Sequence, residues 1–87
     1  EIVSDYYSIT KTDLCSNKRD QRISFPRQVA MYLCRGLTEA TYEDIGASFG
    51  GKHYSTVIHA VDKIMTEIER NEELNAIVSD LSNRIQE

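Results

Sequence analysis

Ile45-Gly46-Ala47-Ser48-Phe49-Gly50-Gly51-Lys52-His53-Tyr54-Ser55-Thr56-Val57 is the stretch that decides how this chain folds. Gly50 and Gly51 interrupt a helical pattern, because glycine enters the left-handed backbone region at little cost. Before the break, Thr41-x-x-Asp44 has the form of a capping box and opens a helix of about two turns carrying Ile45 and Phe49 inward. Gly46 beside Ile45 implies close approach of another helix backbone. After the break, Val57, Val61, Ile64 and Ile68 recur at helical spacing and predict a long helix from about Tyr54 to Arg70. Two helices joined by a glycine turn, the second with a polar outer face, form the pattern of a helix-turn-helix over about residues 42–70.

The polar face can be located by angle, at about 100° per residue. With Val57 at zero, Val61, Ile64 and Ile68 stay within about 40° of it, so the core face is narrow. Ser55, His59, Lys63 and Thr56 fall at roughly 160°, 200°, 240° and 260°, on the opposite arc. Such an arc is ordinarily a solvated helix face with a hydroxyl near the N-cap. Here it carries no acid, in a chain with more acids than bases; Asp62 and Glu67 flank it, and Lys52 in the turn adds a cation. Ser55 and Thr56 stand in the first turn, where a recognition helix presents side chains to base edges.

Working outward, the chain has 87 residues and a mass of 9.9 kDa, enough for one small domain over 1–87. Hydrophobic residues make up 40% and charged ones 28%, a globular rather than a disordered balance. No apolar run approaches the ~18 residues of a membrane span, so no membrane contact is expected. Cys15 and Cys34 are too few for a disulfide scaffold and fit a reduced, cytoplasmic protein. The net charge of −4 hides an asymmetry. Residues 18–35 carry Lys18, Arg19, Arg22, Arg27 and Arg35 against Asp20 alone, whereas residues 67–87 are strongly acidic. Local field, more than total charge, governs attraction to a polyanion.

The remaining elements also read as helical. Ile2, Val3, Tyr6, Tyr7 and Ile9 suggest a short helix, and a second turn runs from Thr12 or Asp13 to Cys15. Residues 16–21 read as a polar, basic loop. Ser24 before Phe25-Pro26 signals a helix start, since proline suits the first turn. That helix carries one apolar stripe of Phe25, Val29, Tyr32, Leu33 and Leu37, with Arg27, Gln28, Met31 and Arg35 away from it and Gly36 as its stop. Asn71 is a candidate N-cap for a last helix with an inner stripe of Leu74, Ile77, Val78, Leu81 and Ile85 and an acidic solvated face. The fold class is all-α.

Several motifs read best as structural. Gly46-x-x-x-x-Gly51-Lys52 matches most of a P-loop, but His53 stands where the metal-binding Ser or Thr belongs and the segment leaves a helix. The cysteines and histidines lack metal-ligand spacing, so neither a metal nor a cofactor is expected in this domain. No Cys-His pair has a local nucleophile signature, and Cys34 reads as a small core residue. The five tyrosines read mostly as core, with only Tyr54 placed to reach a ligand. His59 suits an outward contact and a partly buried, hydrogen-bonded position equally.

Phe25-Pro26-Arg27-Gln28-Val29-Ala30-Met31-Tyr32-Leu33, Leu37-Thr38, Ile45-Gly46 and Phe49-Gly50-Gly51-Lys52-His53-Tyr54-Ser55-Thr56-Val57-Ile58-His59-Ala60 resemble the C-terminal DNA-binding domain (domain IV) of the bacterial replication initiator family DnaA. The similarity covers about residues 1–70, with order and spacing kept. It implies a non-enzymatic, Trp-repressor-like helical domain that binds A·T-rich DnaA boxes in double-stranded DNA at the replication origin. It also implies a longer AAA+ initiator, with ATP bound only by an upstream domain absent here and with other initiator protomers as partners.

Carried over by position, the resemblance assigns a minor-groove arginine to Arg19, beside Lys18. A phosphate-contacting pair falls on Arg27 and Gln28, in the first turn of their helix, and a further backbone cation on Arg35. The base-reading cluster falls on His53, Tyr54, Ser55 and Thr56; the turn and the outer arc of the helix add Lys52, His59 and Lys63 to the candidate DNA-facing set. The family usually has Arg-Asp-His-Thr-Thr where this chain has Lys52-His53-Tyr54-Ser55-Thr56. The usual Asp can cap the helix and accept from a cytosine amino group; His53 replaces it with a weaker cap and a different readout, so the departure alters the expected target sequence. Two other readings of the residues are a dimeric helix-turn-helix transcriptional regulator and a protein-interaction module that recruits a basic partner through the acidic last helix.

Overall fold

The structure, a computed structural model, describes residues 2–86. Six helices follow one another: α1 (Ile2–Tyr6), α2 (Lys11–Leu14), α3 (Gln21–Leu37), α4 (Tyr42–Ser48), α5 (Tyr54–Arg70) and α6 (Glu72–Gln86). No strand occurs among the described residues, in keeping with the all-α expectation.

Several helix ends are set by the residues that the sequence nominates. Thr41 and Asp44 form a reciprocal capping box at α4. Asn71 Oδ1 accepts from the Leu74 N–H at 3.1 Å and starts α6. Gly50 and Gly51 both adopt positive φ (86° and 75°) and reverse the chain between α4 and α5.

The start of α3 differs from the Ser24 expectation. Asp20 is the N-cap, accepting from the Arg22 N–H at 2.9 Å, so the helix opens at Gln21 and Pro26 lies in its second turn. Proline there forfeits one helical hydrogen bond. Burial of Ile23 and Pro26, together with the Asp20 cap, compensates. Arg27 and Gln28 consequently stand in the second turn, not the first. Gly36 does not stop the helix, which runs on to Leu37 with Thr38 as C-cap. The second short helix begins at Lys11, one or two residues ahead of its expected start at Thr12 or Asp13, because the Thr10 hydroxyl caps it through the Asp13 N–H.

α3 is the central element and packs against each of the other five helices. Its buried arc is therefore wider than the expected stripe. Met31, expected outside, is 1% exposed, while Phe25, Tyr32 and Leu37 are only half-buried. The core joins Val29, Met31 and Leu33 of α3 to Val57, Val61 and Ile64 of α5, Ile45 and Phe49 around α4, and Leu74, Val78 and Leu81 of α6. Ile85, expected inward, is exposed at the end of α6. No tyrosine is fully buried: Tyr7, Tyr32 and Tyr42 are half-buried, and Tyr6 and Tyr54 are exposed.

Candidate nucleic-acid interface

The turn before α5 is built on close backbone contact. The Lys52 N–H donates to the Gly46 carbonyl at 2.8 Å, and a Cβ on Gly46 would collide with the Lys52 carbonyl. The close neighbour expected at Gly46 is thus the turn itself, not another helix. The absence of a side chain on Gly46 lets the turn close against α4, and α5 packs on α4.

His53 is the N-cap of α5. Its Nδ1 accepts from the Ser55 N–H at 3.1 Å and lies 2.8 Å from Ser55 Oγ. A ring nitrogen that accepts from a backbone N–H carries no proton, so the neutral ring holds its hydrogen on Nε2. Tyr54 stacks on the imidazole with ring centroids 4.4 Å apart and remains exposed. Thr56 and His59 are also exposed, which places His59 outside the core.

Thr56, His59 and Lys63 of α5 face Ser24, Arg27 and Gln28 of α3 across a cleft of about 250 Å³. Gln28 Oε1 is buried and has no hydrogen-bond partner. A buried amide oxygen without a partner is costly, so this one is a group that a ligand or water can satisfy. Lys63 Nζ stands 6.0 Å from the Phe25 ring centroid at the same cleft.

The basic residues divide into free and committed groups. Arg19, in the loop between α2 and α3, is exposed and has no hydrogen-bond or ion-pair partner among the described residues. Lys18 pairs with Asp13 at 2.9 Å, a bond that holds the Asp13 carboxyl below its usual range. Arg35 is exposed, but its Nη1 donates to the Ala40 carbonyl at 3.1 Å and its guanidinium covers the Tyr42 ring at 4.6 Å.

Arg27 and Lys52 are arranged otherwise than the residue pattern implies. Arg27 points inward and is 8% exposed; its Nε donates to the Leu14 carbonyl at 2.9 Å and its Nη2 to the Lys18 carbonyl at 3.0 Å. Lys52 Nζ donates to the carbonyls of Phe49 at 2.8 Å and Cys15 at 3.1 Å. Burial lowers the pKa of both groups, and the neighbouring Arg27 charge lowers that of Lys52 further. The outer arc of α5 is readable as a helical pattern. The partners of Arg27 and Lys52 are backbone carbonyls brought close only by tertiary folding, and carbonyls leave no mark in a sequence. Ser24 is the one polar residue at the cleft that sequence reading did not place in the interface.

No helix among the described residues is long and apolar enough to cross a membrane. No group of three or more potential metal-ligating side chains occurs among them either.

A family model described as the bacterial dnaA protein helix-turn-helix matches residues 1–64. The chain is similar to the chromosomal replication initiator protein DnaA of Treponema denticola, 42% identical over 98% of this chain. The proteins of the same name from Limosilactobacillus reuteri and Lactobacillus delbrueckii subsp. bulgaricus are 43% and 47% identical over 95% and 93% of this chain. The aligned region makes up only 18–19% of these relatives' own lengths. On the family match and these identities, the chain belongs to the bacterial DnaA helix-turn-helix family.

Proposed function

We propose that this domain binds double-stranded DNA in a sequence-specific manner, at A·T-rich DnaA boxes of a replication origin, as the DNA-reading part of a larger ATP-dependent initiator. α5 enters the major groove by its N-terminal turn, and His53, Tyr54, Ser55 and Thr56 meet base edges there. Arg19 enters the adjacent minor groove, where narrow A·T tracts concentrate negative potential. Lys18, Gln28, Arg35, His59 and Lys63 lie along the backbone path and fix the register on phosphates. The domain performs no chemistry; nucleotide binding belongs to a separate domain of the whole protein.

The observation that carries this reading is the pairing of a largely exposed, acid-free first turn of α5 with an exposed and unpaired arginine in a neighbouring loop. Part of the acidic charge lies elsewhere: α6 carries Glu72, Glu73 and Asp80. A net charge of −4 is therefore compatible with binding a polyanion through one face.

Fluorescence anisotropy with a DnaA-box duplex and a scrambled duplex of equal composition tests the reading. A preference for the box of about a thousandfold is expected. Replacing both Ser55 and Thr56 by Ala should abolish most of that preference. Equal affinity for the two duplexes would refute it and favour a protein-interaction role.

A further inference from the structure

The C-terminal end of α2 is gripped by two cations that arrive from different elements. Arg27, from α3, donates through Nε to the Leu14 carbonyl at 2.9 Å and through Nη2 to the carbonyls of Lys18 at 3.0 Å and Asp13 at 3.5 Å and to Ser16 Oγ at 3.4 Å. Lys52, from the turn ahead of α5, donates to the Cys15 carbonyl at 3.1 Å and the Phe49 carbonyl at 2.8 Å. Gly50 completes the contact, since any Cβ there would collide with the Cys15 carbonyl.

The physical logic is that of a helix end. The last carbonyls of a helix have no partners within it and carry the negative end of its dipole. α2 is a single turn of four residues, too short to persist unsupported. Arg27 and Lys52 are near enough for one charge to act on the other, and carbonyl acceptors satisfy both cations. The loop that emerges from this cluster carries Arg19 and closes at Asp20, the cap of α3.

We infer that Arg27 and Lys52 are positioning residues rather than phosphate ligands. They form a two-cation bracket that fixes the Arg19 loop against the turn launching α5, and so sets the spacing at which the domain grips two adjacent grooves. The inference rests on the DNA-binding reading for its consequence, but the bracket itself is testable without DNA. Arg27 has its Nε and Nη2 turned onto backbone oxygens inside the protein, and Lys52 has two carbonyl acceptors for its three protons. A guanidinium fork is needed at position 27 because it must reach Leu14 and Lys18 together.

The test uses the 87-residue chain with Arg27→Lys, Lys52→Met and Lys52→Arg, each alone and combined with Arg19→Ala. Amide hydrogen exchange in the free protein is read at Ser16 and Lys18, whose N–H groups bond to Asp13 O and Ser16 Oγ. Lys52→Met should accelerate exchange there at least tenfold while the core amides of α5 remain protected, and Lys52→Arg should restore it. Unchanged exchange would overturn the bracket whether or not the chain binds DNA. With a DnaA-box duplex, Arg27→Lys and Lys52→Met should each lower affinity about tenfold with the salt slope unaltered. Adding Arg19→Ala should then cost less than it does in the parent, because a mispositioned Arg19 has little left to lose. A slope that falls by about 0.9 per variant, with losses that multiply, would identify phosphate ligands and overturn the proposal. Should Arg27→Lys fail to fold, the Lys52 variants carry both arms. A parent chain that shows no duplex preference would refute the DNA-binding reading, and the exchange rates would then decide the bracket by themselves.

Discussion

Gly46 and Lys52 are joined backbone to backbone across the turn: the Lys52 N–H donates to the Gly46 carbonyl at 2.8 Å, and the Lys52 carbonyl occupies the space a side chain on Gly46 would need. The obstructing atom belongs to the main chain, so no rotamer change relieves the clash. Gly46→Ala should therefore destabilise the domain by about 1–3 kcal/mol. At this size each kcal/mol lowers Tm by roughly 4–8 °C. Thermal unfolding measures it, and an unchanged Tm would show that the turn relaxes without cost.

Arg19 is exposed and has no hydrogen-bond or ion-pair partner among the described residues, so its insertion into a groove would break no internal bond. Arg19→Ala should weaken binding to a DnaA box, and it should narrow the difference between that duplex and one with G·C pairs at the minor-groove end. Binding isotherms on the two duplexes decide it. Equal losses on both would make Arg19 a general backbone contact.

Thr56 is exposed in the first turn of α5 and borders the cleft against Gln28. Thr56→Ala should cost about 1–3 kcal/mol on the cognate duplex and little on random DNA. A comparable loss on both duplexes would assign the hydroxyl to a phosphate.

His53 caps α5 through Nδ1, so its outward ring nitrogen is a donor. Long-range 1H–15N NMR of the free protein should find the neutral ring protonated on Nε2. His53→Ala should cost about 0.5–2 kcal/mol of stability through loss of the cap. His53→Asp should retain the cap yet replace a donor with an acceptor, which shifts the preferred base at that position toward cytosine in a selection from random duplexes. An identical selected base for both proteins would remove His53 from base reading.

Asp13 supplies a pH dependence. Its hydrogen bond from Lys18 holds its carboxyl below the usual 3.8 in the folded chain. The unfolded chain then binds the proton more tightly, so the stability due to this pair is present above 3.8 and is lost as pH falls through the lowered folded value. Lys18→Met should lower stability slightly at pH 6, where the pair is intact, and by less at pH 3, which flattens that part of the acid limb. Urea titrations at pH 3 and pH 6 compare the two; a parallel loss at both would locate the effect of Lys18 elsewhere.

The helices from α4 onward are legible in the sequence because their signals are local. A capping box, two glycines and a 3.6-residue apolar period each act within a few residues, and Thr41, Gly50 and Val57 behave as their neighbours dictate. At the start of α3 the local signal misleads, because Pro26 points strongly to a first turn. The cap at Asp20 and the burial of Ile23 outweigh it, and burial depends on neighbours distant in the chain.

Helix content, the helix-turn-helix and the polar arc on α5 follow from residue order alone, since periodicity and capping are properties of the chain itself. The fate of the cations is decided by tertiary structure. Arg27 and Lys52 look on paper like the free charges of a basic surface, as Arg19 does. Only the folded chain brings the Leu14, Cys15 and Lys18 carbonyls within their reach, and carbonyls at a helix end attract a nearby cation strongly once water is displaced.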